Sequence, residues 1–110
     1  MKNKLTEAQI QSELRILSSQ RSSTQNRDHW VLTEKGEITR TVVAQDFAHA
    51  LLFVNSVGFL AEANNHHPDI MIQYRNVTLT LSTHDAGGLT EKDFELASKI
   101  DALENLRKLL

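Results

Sequence analysis

Residues 70–82 read IMIQYRNVTLTLS. Ile70, Ile72 and Tyr74 alternate with Met71 and Gln73, and beyond Arg75-Asn76 the pattern resumes, with Val77, Leu79 and Leu81 set against Thr78, Thr80 and Ser82. A period of two sends successive side chains to opposite faces of a strand, and Arg75-Asn76 can turn the chain between the runs. The stretch therefore predicts a β-hairpin with one apolar face. Residues 30–43 predict a second hairpin of similar size. There Trp30 and Leu32 share one face, Lys35-Gly36 supplies the turn, and Ile38, Arg40 and Val42 alternate with Thr39, Thr41 and Val43. Trp30 and Tyr74 read as core residues of the hairpins rather than stacking platforms.

Three helical segments surround the hairpins. Thr6 and Gln9 form a capping-box pattern, Leu5 can staple onto Ile10, and Ile10, Leu14 and Leu17 then line one face. Residues 18–28, SSQRSSTQNRD, hold no apolar residue and read as a polar connecting loop. Asp46 can cap a second helix over Phe47 to Ala63, with Phe47, Leu51, Val54 and Ala61 on one stripe and Ala50, Phe53, Val57 and Leu60 beside it. Leu52 and Phe59 widen the apolar surface beyond what one small sheet covers, which predicts burial against another subunit. Asn64-Asn65-His66-His67-Pro68 ends that helix, since Pro68 disfavours helical geometry at the residue before it. After Ser82, His84-Asp85-Ala86-Gly87-Gly88 reads as a flexible exit loop. Thr90-Glu91-Lys92-Asp93 opens a last helix with Phe94, Ala97, Ile100 and Leu103 on one face.

The order is α-β-β-α-β-β-α, and hairpin spacings fit antiparallel pairing, so the expected fold is α+β, an antiparallel sheet with helices packed on one face. With 110 residues, 40% of them hydrophobic, a single domain over residues 1–110 is expected. Absence of cysteine excludes disulfides and thiolate chemistry. A net charge of -2 argues against direct nucleic-acid binding. Met1 to Thr6 leads into no apolar stretch and no run approaches a membrane span, so a cytoplasmic protein without a membrane partner is expected.

Of five histidines, His66, His67 and His84 fall at element ends, where sites are built. A bland explanation exists, because histidine interacts well with a helix C-terminus and proline commonly follows one. Spacing adds to it. Glu62, four residues before His66, would share its face on a continuing helix. A hairpin returning from Ile70 brings His84 back beside His66 and His67, and Asp93 in the first turn of the last helix can reach the same corner. Asp93 is also the expected capping-box partner of Thr90. His29 and His49 fit no such pattern.

Glu62, His66-His67-Pro68, Tyr74, His84 and Asp93 stand in the order and spacing of the pterin-4a-carbinolamine dehydratase signature, and the chain from Trp30 onward resembles that family throughout. The resemblance implies a four-stranded antiparallel sheet with three helices on one face. It implies dehydration of 4a-hydroxytetrahydrobiopterin to quinonoid dihydropterin, in tetrahydrobiopterin recycling, with no metal and no cofactor. His66 and His84 would be general acids on either face of the ring, with His67 positioning substrate or assisting as base. Glu62, Asn65, Ser82, Thr83, Asp85 and Asp93 would line the substrate site. A homodimer or homotetramer is implied. Asn65 stands where animal members have Asp, Ile70 where they have Trp, and Lys92 replaces an Arg, losing the planar fork. One rival is a metal-dependent hydrolase with His66, His67, His84 and Glu62 as ligands, disfavoured because adjacent histidines point to different sides of the backbone. Another is a non-catalytic interaction or assembly module of the same fold, of the dimerisation-cofactor type.

Overall fold

Two strands, β2 (Ile38–Val43) and β4 (Asn76–Leu81), pair antiparallel over six residues at the centre of the molecule, from Ile38 opposite Leu81 to Val43 opposite Asn76. β1 (Val31–Leu32) flanks β2 and β3 (Asp69–Gln73) flanks β4, so the order across the sheet is β1-β2-β4-β3. The computed structural model describes residues 3–19 and 29–108. Helices α1 (Glu7–Ser19), α2 (Phe47–Asn64) and α3 (Glu91–Lys108) complete the expected α-β-β-α-β-β-α order.

Alternation decides the faces. Ile38, Val42, Val77, Leu79 and Leu81 are buried beneath the helices. On the opposite face Thr41 and Thr78 hydroxyls meet at 2.9 Å and those of Thr39 and Thr80 at 3.1 Å, cross-strand pairs that tie β2 to β4 in register. Gly36, at φ 78, turns the first hairpin where the sequence placed it. In the second hairpin Gln73 faces Asn76, so the turn is Tyr74-Arg75, one residue earlier than expected. Tyr74 leaves the strand, takes φ 54 and is 68% exposed rather than core. An aromatic residue in the left-handed region costs about 1–2 kcal/mol, and the alternation that ran through Tyr74 gave no warning of it.

The capping box of α1 forms as predicted: Thr6 N–H donates to Gln9 Oε1 at 2.8 Å and Gln9 N–H to Thr6 Oγ1 at 3.2 Å. Ser18 and Ser19 belong to this helix and not to a loop, with Ser19 Oγ bonding back to the Ile16 carbonyl. The rest of the expected loop lies outside the described residues. Asp46 caps α2, accepting from His49 N–H at 2.8 Å and facing His49 Nδ1 at 2.7 Å, and these bonds hold its carboxyl below the usual carboxylate range. The buried line of α2 is Ala50, Phe53, Val57 and Ala61. Phe47 and Leu51, expected on the core stripe, are exposed together with Leu52 and Phe59. A helix apolar around most of its girth has no periodicity to fix its rotation, and contact with α3 and β4 chooses it. No helix among the described residues is long and apolar enough to cross a membrane.

One feature of the core is ionic. Arg40, on the inner face of β2, places Nη1 2.8 Å from Asp101 Oδ1 and Nη2 3.6 Å from Glu104 Oε2, both on α3, and all three side chains are nearly wholly buried. The Trp30 indole donates to Asp101 Oδ1 at 2.9 Å. Trp30 is thus a core residue as expected, with its N–H satisfied.

Candidate functional site

The end of α2 shapes the first part of the site. Asn65 takes a left-handed conformation, φ 49 and ψ 42, its N–H bonding to the Glu62 carbonyl while His66 N–H bonds to that of Ala61. This paired arrangement is a Schellman cap, and asparagine is among the few non-glycine residues that enter the region readily. It turns the chain sharply, so the helical relation between Glu62 and His66 on which the sequence reading relied ends before His66. Glu62 Oε1 instead accepts from His67 Nε2 at 2.6 Å, and both side chains are exposed. Lys99 Nζ on α3 meets Asn64 Oδ1 at 2.5 Å and ties this end of α2 to α3.

The second part follows β4. Thr83 N–H bonds to the Gly88 carbonyl and Gly88 N–H to that of Thr83, closing a loop whose first turn, His84–Ala86, is a short 3-10 helix capped by Gly87 at φ 75. The expected flexible loop is therefore a closed one. Leu5 N–H bonds to the Leu89 carbonyl at 2.8 Å, so the N-terminal segment runs beside the loop. A Cβ at Gly88 would fall 2.8 Å from Lys4 Cε, the far end of a flexible side chain that can move aside.

The third part is the start of α3. Asp93 is wholly buried and serves two elements at once. Its Oδ2 accepts from Thr90 N–H at 2.9 Å, as a capping-box acid does, and from Thr83 Oγ1 at 2.8 Å. Its Oδ1 lies 2.6 Å from His66 Nε2. Thr83 and Thr90 hydroxyls touch at 2.8 Å.

The fold thus brings His66, Thr83 and Asp93 into one hydrogen-bonded corner, with Thr90 as a member the sequence reading knew only as a helix cap. Its threonine hydroxyl beside an acid three residues on was the available signal. His84 follows Thr83 directly, and no described residue hydrogen-bonds its ring. His67 and Glu62 form a separate pair. Ser82 is half-buried and Asp85 exposed, and the side chains of Ser82, Asp85 and Asn65 make no hydrogen bond to these histidines. Among the described residues no three His, Asp or Glu side chains converge as metal ligands would. A groove of about 410 Å³ between α1 and α3, floored by Ile16, Leu17 and Phe94, includes none of the three histidines, so the chemistry of the side chains and not the size of a cavity marks the site.

The sequence model of the pterin 4 alpha carbinolamine dehydratase family matches residues 3–103. The chain belongs to that family. A relative from Chloroflexus aurantiacus is 49% identical over 91% of this chain and 96% of its own length, and one from a Roseiflexus species 46% identical over 94% and 99%. Both carry the name pterin-4-alpha-carbinolamine dehydratase as a provisional one. Among solved structures, a transcriptional coactivator/pterin dehydratase from Brucella melitensis superposes with a TM-score of 0.77 at 33% identity, over 91% of this chain and 97% of the other. A pterin dehydratase-like protein identified as a RuBisCO assembly factor of the alpha-carboxysome shares the fold, with a TM-score of 0.59 at 22% identity over 67% of this chain and 87% of the other. Membership in the dehydratase family agrees with the four-stranded antiparallel sheet and the three helices.

Proposed function

We propose that the chain dehydrates a 4a-hydroxytetrahydropterin to the quinonoid dihydropterin in tetrahydropterin recycling, with histidines as the proton carriers and no metal or cofactor. The observation that carries this reading is the His66–Asp93 pair, an imidazole clasped at 2.6 Å by a wholly buried carboxylate in a corner shared with the segment that bears His84. A carbinolamine expels its hydroxyl poorly unless an acid protonates the oxygen as it leaves, and an imidazole with an ordinary pKa of about 6.5 suits that step near neutrality. The N5 lone pair forms the C4a–N5 double bond, the C4a–O pair departs with the oxygen, the histidine proton makes that oxygen water, and a ring N–H proton released to base or solvent restores the balance. His66 and His84 serve the two faces of the ring, and His67, braced by Glu62, positions the substrate together with backbone and side-chain groups of Asn65, Ser82, Thr83 and Asp85.

The test is a coupled assay in which a hydroxylase generates the 4a-hydroxytetrahydropterin. Its ultraviolet signature is expected to decay faster with this protein present, to the same extent in excess chelator. Decay at the uncatalysed rate favours the second reading, an assembly or interaction module, to which the exposed apolar residues of α2 and the fold shared with an assembly factor lend weight.

Those residues also bear on self-association. Leu52 and Phe59, 61% and 79% exposed, lie on the outward side of α2 with Leu51 beside them. The chain is expected to form a homodimer or homotetramer through this helix or the neighbouring sheet edge. Sedimentation equilibrium at micromolar concentration should show an oligomer for the wild type and a monomer for Leu52→Glu/Phe59→Glu. A monomeric wild type overturns the expectation.

A further inference from the structure

The hydrogen bonds at the corner have only one consistent assignment of protons. Thr83 has a single hydroxyl proton and gives it to Asp93 Oδ2, so in the contact between the two threonines Thr90 is the donor. Thr90 Oγ1 in turn accepts from Lys92 N–H at 3.3 Å. Asp93 Oδ2 therefore receives two protons already placed, from Thr83 and from the Thr90 backbone. Oδ1 is left to face His66 Nε2. An ionised carboxylate can only accept, so the shared proton sits on the ring nitrogen. Nε2 then carries hydrogen in every working state of His66, and no described residue bonds Nδ1.

We propose that Asp93 is the positioning residue that holds His66 in the Nε2–H tautomer, that Nδ1 is the atom from which His66 delivers its proton to the substrate, and that Thr83 extends the same constraint to the segment of His84. The deduction about use of the proton rests on the dehydratase reading; the assignment of the tautomer does not. As an acid, His66 begins as the imidazolium, gives the Nδ1 proton to the departing hydroxyl, and is left as the neutral Nε2–H ring with its lone pair on Nδ1. The Nε2 proton stays with Asp93 throughout. Asymmetry between the two acids follows, since His66 is held by a buried anion while the His84 ring is restrained only through its backbone.

Asp93→Asn probes this directly. The amide oxygen must take the Oδ2 position, where Thr83 and the Thr90 N–H donate, which turns the NH2 group toward Nε2. The ring then has to accept at Nε2 and carry its hydrogen on Nδ1, the opposite tautomer. An analogous exchange in the serine-protease triad, which leaves the wrong tautomer, costs roughly 10⁴-fold in turnover. Here the fall in kcat is expected to match that of His66→Ala with KM little changed, because His84 remains.

Long-range proton–nitrogen correlation spectra of ¹⁵N-histidine-labelled protein, recorded where His66 is neutral, report the tautomer without reference to activity. The wild type should show Nε2–H, Asp93→Asn should show Nδ1–H, and Thr83→Ser should retain the wild-type pattern while Thr83→Val shifts the populations. An Nδ1–H signal for His66 in the wild type overturns the proposal, and that spectrum decides it even if Asp93→Asn does not fold. Correct tautomers in a protein without dehydratase activity would leave the positioning intact and refute the function instead.

Discussion

Replacing His66 and His84 together by alanine should lower kcat for dehydration by on the order of 100 to 10,000-fold, the usual worth of a positioned general acid. Each single replacement should leave substantial turnover, because the other histidine still protonates the hydroxyl on its own face of the ring. His67→Ala should differ in kind, raising KM with a smaller fall in kcat. Glu62→Gln should follow His67 weakly, since the two form an exposed pair of a kind worth at most about 1 kcal/mol and screened by salt. If these residues merely cap and end helices, all four changes would move thermal midpoints and leave turnover per folded molecule intact. Initial rates normalised to the folded fraction separate the outcomes, and a double variant near wild-type turnover sinks the proposed site.

The largest effect on stability is expected at Arg40. Arg40→Ala removes the guanidinium facing Asp101 and Glu104 in a nearly dry interior, and breaking a buried ion pair by deleting one partner costs about 3–5 kcal/mol. For a domain near this size that lowers the melting midpoint by about 12 °C or more. Arg40→Lys keeps the charge without the fork and should fall between. Replacing all three residues by apolar ones of similar volume should recover only part of the loss, since apolar packing avoids the desolvation of buried charges but leaves the buried Trp30 indole N–H without its acceptor on Asp101. Calorimetric unfolding of the three variants checks this, and a loss below about 1 kcal/mol for Arg40→Ala would mean the pair contributes no more than a surface one.

How far the sequence disclosed the molecule depends on which force set each feature. Both hairpins were readable because threonines alternate with aliphatics, and a two-residue period has a single structural meaning. Arg40 was readable in part: it occupies an inward position between Ile38 and Val42, but its partners Asp101 and Glu104 look like ordinary charges of a polar helix until α3 is seated against the sheet. The rotation of α2 was not readable, since Phe47 and Leu51 are as apolar as Phe53 and Val57 and only tertiary contact chooses between them. Tyr74 misled because its parity matched the strand while the turn claimed it. At the candidate site, spacing placed His66 and Asp93 at one corner and the resemblance added Thr83, and the fold brings the three side chains together. The shared face of Glu62 and His66 depended on a continuing helix, and because Asn65 ends it one residue before His66, Glu62 meets His67. Asp93 had two competing readings, a cap and a site residue; Oδ2 caps α3 and Oδ1 meets His66.

The central pairing of β2 with β4 sets the order in which the molecule can assemble. Thr39 and Thr80, bonded across those strands, are 41 residues apart in the chain, and Arg40 meets Asp101 across 61. Contacts so distant must meet a large loss of chain entropy before they return anything, whereas β3 and β4 are joined by a two-residue turn and close locally. During refolding the chain is expected to hold a hairpin before it holds a sheet. The corner of His66, Thr83 and Asp93 needs α3 seated on that sheet, so it is expected to form with the later, long-range contacts and not with the first gain of β structure.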